Sequence, residues 1–480
     1  MQKSLGLIPA DFIKTLKTEP KLDYEKEYKD CLDYIESYWS KIIHKPAREK
    51  IRNNFLNIPY HFVTPNDKKF YYIFYWDTFF IFRGLMGTKR EWVMREMVEN
   101  FAYFFEKYGI IPNFSSHASV GRSQPPFLTS MILDAYKTFN NGNRARSTLS
   151  ILASFILEPH KTFGHLGWLS EKMETAKKEY NYVWNNSEHY NHYVEKYKLN
   201  RYGDRDIGYA HSSELESGWD FTSRFYGRCN EFLPICLNSY LYKYEKDFEL
   251  SAIILEDKKE ADFWEKQSEK RKNAMNRLMW NEEKGFFFDY GYVHKRQSDF
   301  LSLAGFVPLW AGIATKDQAR KMIYKLSYFE TKYGLTITAR QSLAPKIDIS
   351  KLPPRFRPVI EELIKPKQWD YPNIWPPLEY LTVIGLLRYG FVEDGRRIME
   401  KSLEAHTRIF RKYGTFYERI NGIKGTRALN NGGYNLQSGF GWTNAIFYRY
   451  TKILQKLEKG IDIYGFSKEE DPPYDLNILH

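Results

Sequence analysis

The sequence predicts an all-α protein, either a toroid of helical hairpins or a helical solenoid. Three observations lead there. Helical periodicity runs through nearly all of the 480 residues. Strand signals are few. Roughly a dozen helical segments follow one another without a heptad seam. No strict repeat of about 33–47 residues is visible, which weakens the solenoid reading.

The first segment, Tyr24–Ile43, sets apolar residues at helical spacing among charges. Lys89–Tyr108, Pro126–Asn140 and Arg144–Leu157 follow, and Pro126 suits a first helical turn. Leu169–Tyr197 reads as one long, polar, aromatic-rich helix. Thr222–Lys246, Ala252–Trp280, Phe300–Ala314 and Lys316–Leu326 come next, then Pro377–Tyr389, Val392–Tyr413 and Gly439–Leu457. Only Gly285–Tyr292 and Phe416–Ile423 read as short hairpins. The Pro-rich stretch Leu352–Pro358 is a loop too short to mark a boundary. With no low-complexity linker, one domain over residues 1–480 is expected.

Composition narrows the function. Aromatic residues make up 17% of the chain, which suits an aromatic-lined interior or groove. The net charge of +12 is spread among nearly as many acids, with no basic tail, so a nucleic-acid partner is not expected. It could still favour an anionic substrate. Three cysteines, Cys31, Cys229 and Cys236, form neither a disulfide framework nor a zinc pattern and read as small buried hydrophobes. No apolar run approaches a membrane span and no signal-peptide core is seen, so a cytoplasmic protein is expected. Dispersed histidines, with no HExxH or Cys/His cluster, argue against a catalytic transition metal. No cofactor is expected, because neither a phosphate loop nor a nucleophile elbow is present.

Two segments dense in tryptophan stand out, Glu216–Phe225 (ESGWDFTSRF) and Gln368–Pro377 (QWDYPNIWPP). Tyr75–Phe80 (YWDTFF) repeats the Trp-Asp pair, and Tyr434–Asn444 (YNLQSGFGWTN) adds another tryptophan. Indole rings cover the apolar faces of a pyranose, while carboxylates bind its hydroxyls and move protons. Paired carboxylates beside aromatic platforms therefore point to a sugar-cleaving pocket.

Residue types leave each role open. Asp220 follows Gly218-Trp219. It could be a general acid whose pKa rises beside an indole, or the N-cap of the helix after it. Glu418 could be a base or half of an exposed ion pair with Arg419. Asp77 and Asp370 could each accept a sugar hydroxyl or cap a helix. Arg122, before Ser123-Gln124, needs an acceptor that a carboxylate or a sugar could supply.

Together these motifs resemble glycoside hydrolase family 37, the trehalases. QWDYPNIWPP resembles the family's second signature, with Ile374 where Gly is usual, and ESGWDFTSRF is nearly its ESGWDFSSRW. Ile111–Asn113 with Arg122–Phe127 resembles IPN…RSQPPF, and Gln437–Asn444 resembles QDGFGWTN. The matches keep their order from Phe70 to Asn444. The resemblance implies an (α/α)6 barrel, an inverting hydrolase without a metal, and a small sugar as substrate. It makes Asp220 the general acid and Glu418 the general base. Phe70, Trp76, Asp77, Asn113, Arg122, Gln124, Gly218, Trp369, Trp375 and Gln437 become the substrate-side residues.

The chain departs from that pattern at the second sugar. Lys69 stands where a substrate-binding Arg is usual and loses its bidentate geometry. Tyr72 replaces a Glu, Phe74 a Tyr, and Gly433 a Glu, while Asp206–Ser213 occupies the place of the RPES segment. Trehalose is the first expected substrate. Glucosylglycerate or mannosylglycerate, cleaved by some family 63 enzymes, would suit an altered leaving-group site. A catalytically dead sugar-binding barrel is disfavoured because both carboxylates are present.

Overall fold

A computed structural model describes residues 22–48, 54–140, 159–186, 190–203, 210–343, 353–358, 365–428 and 433–461. Among them, two sets of six helices alternate along the chain. Tyr75–Leu85, Leu128–Asn140, Ile235–Ile254, Val307–Ala311, Pro376–Arg388 and Gly441–Glu458 form an inner ring. Each packs on the next, and Gly441–Glu458 packs back on Tyr75–Leu85 to close it. Lys29–Ile42, Trp92–Tyr108, Pro159–Glu179, Lys258–Met279, Lys316–Ile323 and Val392–Tyr413 form the outer layer. This is the (α/α)6 toroid the sequence led us to expect.

Burial explains which helix goes where. Every residue of Tyr75–Leu85 and of Pro376–Arg388 is buried, so these helices suit the enclosed ring. Val392–Tyr413 instead buries Ile398, Met399, Leu403, Ala405, His406 and Ile409 on one face and leaves its charges outside. All three cysteines are free and buried, as read from the sequence.

Several boundaries move, for local reasons. Leu169–Tyr197 is not one helix. The helix ends at Glu179, passes through a π-turn over Tyr180–Trp184, and gives way to the strand pair Tyr193–Val194 and Leu199–Asn200. Asn191, before the strand pair, and Lys198, in its turn, both take the left-handed backbone region, which no helix continues. The helix expected from Thr222 starts at Ile235, because Phe221, Tyr226 and Gly227 are left-handed and Pro234 stands at the N-cap. Helix Lys258–Met279 starts later than Ala252, with Asp257 as its cap. The two expected hairpins are small sheets. Tyr290–Gly291 lies between Phe232–Leu233 and Arg296–Gln297, and Ile420–Asn421 lies between Asn373–Ile374 and Thr426–Arg427. The expected helix Arg144–Leu157 falls outside the described residues. Among the described residues no helix is long and apolar enough to cross a membrane.

Candidate active site

The loops that lead into the inner helices meet at one end of the ring around a cavity of about 390 Å³. Trp76 and Asp77 come from the first turn of Tyr75–Leu85, and Trp442 from the first turn of Gly441–Glu458. Gln124 precedes Leu128–Asn140, Asp220 precedes Ile235–Ile254, and Trp369 precedes Pro376–Arg388. A converging set of helix N-termini favours negative charge at the centre of such a cavity.

Ten of the twelve residues singled out in the sequence line this space: Phe70, Trp76, Asp77, Asn113, Arg122, Gln124, Gly218, Asp220, Trp369 and Glu418. The other two stand one layer behind. Trp375 stacks on Trp369 at 3.7 Å and donates its indole N–H to the Gln368 carbonyl, 2.9 Å away. Gln437 accepts from the Asn66 side chain at 3.2 Å, and its carbonyl accepts from the Glu418 amide at 3.0 Å. Asp370 leaves the sugar-binding alternative too. It accepts from the Lys367 and Ser223 amides and from the Thr222 and Ser223 hydroxyls, which ties two loops together.

Five indoles form one continuous wall. Trp369 stacks between Trp219 and Trp375, and Trp76 and Trp442 complete the cluster. The backbone bends tightly at Gly218, where φ is +73° and an added Cβ would stand 2.8 Å from the Trp76 ring. Both constraints demand glycine, and the bend aims Asp220 into the cavity. The following residues are anchored three times. Glu214 accepts from the Thr222 amide at 3.0 Å, Asp370 holds Ser223, and Arg224 forms a buried two-point pair with Asp289. Asp220 therefore caps no helix; it is presented on a braced loop.

The carboxyl groups differ in their electrostatics. Asp220 is half-buried, and its pKa is pushed up to about 7 by burial, then by the charges of Glu214 and Glu418, against the pull of Arg122. Asp77 is buried and raised well above the ordinary range by burial, then by Glu418 and Asp220. Glu418 is also raised by burial, but the Arg419 guanidinium and the Tyr434 hydroxyl oppose the rise. The Glu418–Arg419 pair is fully buried, so it is not the exposed ion pair that the sequence allowed. Arg122 donates to the Ser212 hydroxyl at 3.1 Å. Behind the site, Glu216 accepts from His192 and from the Gly203 and Ser123 amides. Burial raises its pKa, but these donors outweigh that and hold it below the usual range.

Other lining residues were not singled out as site residues in the sequence: Pro65, Phe114, Leu215, Tyr434, Phe440 and Trp442. Tyr434 and Trp442 lie in a motif already noted, whereas nothing in the local sequence marks Phe114. The residues that depart from the family pattern gather at the mouth. Tyr72 stacks on Phe55, Phe74 stacks on Phe114, and the exposed Lys69 ammonium lies 5.7 Å from the Tyr434 ring. At Gly433 an added Cβ would stand 2.2 Å from the Phe221 ring, so a side chain there must displace that ring. Among the described residues no cluster of His, Cys, Asp and Glu is arranged to hold a metal ion.

Comparison with known proteins agrees with this architecture. Residues 9–456 match the sequence model of the Trehalase family. The chain is 30% identical over 441 residues to the cytosolic neutral trehalase of Beauveria bassiana, and 30% identical over 438 residues to that of Saccharomyces cerevisiae. These alignments cover 80% and 81% of this chain but only 57% and 56% of the relatives, so the chain spans little more than half their length. The solved neutral trehalase Nth1 from Saccharomyces cerevisiae superimposes with a TM-score of 0.64 at 26% identity, covering 85% of this chain and 78% of that one. A GH63 mannosylglycerate hydrolase from Thermus thermophilus shares the fold with a TM-score of 0.59 at 17% identity, covering 81% of this chain and 95% of the other.

Proposed function

The chain belongs to the trehalase family, and we propose that it hydrolyses α,α-trehalose to two glucose molecules with inversion at the cleaved carbon. One observation carries the reading: two carboxyl groups on separate loops face one aromatic cavity, and only at Glu418 do a paired guanidinium and a phenol hydroxyl bond the carboxylate against the rise that burial causes. Asp220, raised to about 7, retains a proton near neutral pH and donates it to the leaving glycosidic oxygen. Glu418, supported by Arg419 and Tyr434, takes a proton from water, which attacks the opposite face of the sugar. Inversion needs the two carboxyls about 6.5–9.5 Å apart, with room for that water. The indole wall stacks on the cleaved glucose, while Asp77, Asn113, Arg122 and Gln124 bind its hydroxyls. The helical ring acts as one catalytic domain, and the likeness to cytosolic trehalases supports a cytosolic setting here.

Proton NMR of the first-formed sugars tests the chemistry. One β-glucose and one α-glucose per trehalose are expected, and two α-glucoses would exclude inversion. Lys69 at the mouth favours a second reading, in which the leaving group is an anion such as glycerate. Parallel assays on trehalose, glucosylglycerate and mannosylglycerate decide between them. Cleavage of either glycerate glycoside without cleavage of trehalose would overturn the trehalose assignment.

A further inference from the structure

We propose that Tyr434 is a positioning residue for the base: its hydroxyl fixes one oxygen of Glu418 and holds that carboxylate ionised. The inference rests on Glu418 acting as the base.

A base that activates water needs two properties. It must be ionised at the working pH, and one lone pair must be aimed at the water. Burial works against the first. Glu418 is 1% exposed, and burial raises its pKa. Two groups counter that rise. Arg419, next in the chain, pairs with Oε2, and the Tyr434 hydroxyl donates to Oε1 at 2.7 Å. Each carboxylate oxygen has two lone pairs, so Tyr434 leaves one on Oε1 for a water.

The rest of Glu418 is equally constrained. Its amide donates to the Gln437 carbonyl and its carbonyl accepts from the Trp442 indole, both at 3.0 Å. Arg419 is itself buried, lying 5.0 Å from the Trp375 ring and 5.7 Å from the Tyr434 ring. Among the described residues its Nε and Nη2 have no hydrogen-bond partner. Its charge is therefore directed at Glu418 rather than shared with a second carboxylate. Lys69, from the mouth, also lies near the Tyr434 ring. Burial, followed by the charges of Glu418 and Asp220, lifts the Tyr434 phenol well above its ordinary range, so it stays a donor throughout the accessible pH.

Tyr434→Phe isolates the hydroxyl. The ring contact with Phe70, edge-on at 5.6 Å, survives the change. The pH profile of kcat/KM for trehalose is measured from pH 4 to 9, with KM, kcat and the melting temperature. Loss of a donor to the ionised form raises the pKa of Glu418, so the acidic limb should move up by about one pH unit. Activity on the acidic side of that limb should fall by up to about tenfold, with KM nearly unchanged and the basic limb unmoved.

An unmoved acidic limb overturns the proposal. If KM then rises, the hydroxyl serves sugar binding; if only the melting temperature falls, it serves the fold. Glu418→Gln is assayed beside it. Loss of hydrolysis in Glu418→Gln with an unshifted Tyr434→Phe profile rejects the positioning role alone. Retained hydrolysis in Glu418→Gln removes the base itself, and the proposal falls with it.

Discussion

Replacing the proposed acid should make the protein inactive and, above neutral pH, more stable. Asp220→Asn keeps the shape of the protonated side chain and removes its charge. In the fold the Asp220 pKa is about 7, against 3.8 for the free side chain. Between those values the folded chain holds a proton that the unfolded chain has released. Stability therefore falls as pH rises through this window, and the full cost is present above pH 7. Below pH 3.8 both states are protonated and the cost vanishes. At about 1.4 kcal/mol per pH unit the rise is worth about 4 kcal/mol. Asp220 is half-buried, and cavity water screens part of this, leaving about 2–3 kcal/mol. Unfolding entropy for a chain of 480 residues is about 1 kcal/mol per kelvin. Asp220→Asn should then melt about 2–3 °C above the parent at pH 8 and equal to it at pH 4. Glucose release from trehalose should fall by about a thousandfold or more. Thermal melting across pH 4–8 gives the test. A variant that melts no higher at pH 8, or whose gain is the same at every pH, would refute the argument that burial and neighbouring charge strain this carboxylate.

Two further substitutions probe how Asp220 is held and tuned. Glu214→Gln removes the neighbouring charge that, after burial, does most to raise Asp220. The basic limb of kcat/KM should move to lower pH while the acidic limb stays, and an unmoved basic limb would show that burial alone sets the acid. Gly218→Ala puts a side chain at φ +73° and against the Trp76 ring. It should cost about 2–4 kcal/mol, read as a lower melting temperature, and should reduce kcat by displacing Asp220.

How much of this was legible in the sequence depended on what each residue faces. Val392–Tyr413 is found with both ends as expected, because one apolar face and one charged face write a 3.6-residue period. Tyr75–Leu85 is buried on every side and writes no period; only its Trp-Asp motif drew attention. Pro376–Arg388 is equally buried, yet its limits are readable from Pro376-Pro377 at its start and Gly390 after it. Leu169–Tyr197 misled because its aromatic and polar residues keep a helical spacing past Glu179, through a π-turn and on to a strand pair flanked by left-handed Asn191 and turned at left-handed Lys198. Isolated Asn and Lys residues do not announce that conformation.

The site shows the same division on a smaller scale. Trp76, Trp219, Trp369, Trp375 and Trp442 form one wall, and changing any of them disturbs its neighbours, so their segments must stay close to a common pattern. Asp220 and Glu418 sit within this tightly coupled region and were readable for that reason. At the mouth the constraint is weaker: Lys69 is exposed, and Tyr72 and Phe74 pack on Phe55, Phe70 and Phe114, outside the indole wall. A change there alters few contacts, so it can adjust the leaving-group side without touching the acid, the base or the wall. Gly433 extends the argument. Its missing side chain is matched by the Phe221 ring in the space a side chain would need, and Phe221 adjoins the acid. Restoring a side chain at Gly433 would therefore press on the residue next to Asp220, so this departure, unlike those at Lys69, Tyr72 and Phe74, reaches the loop that carries Asp220.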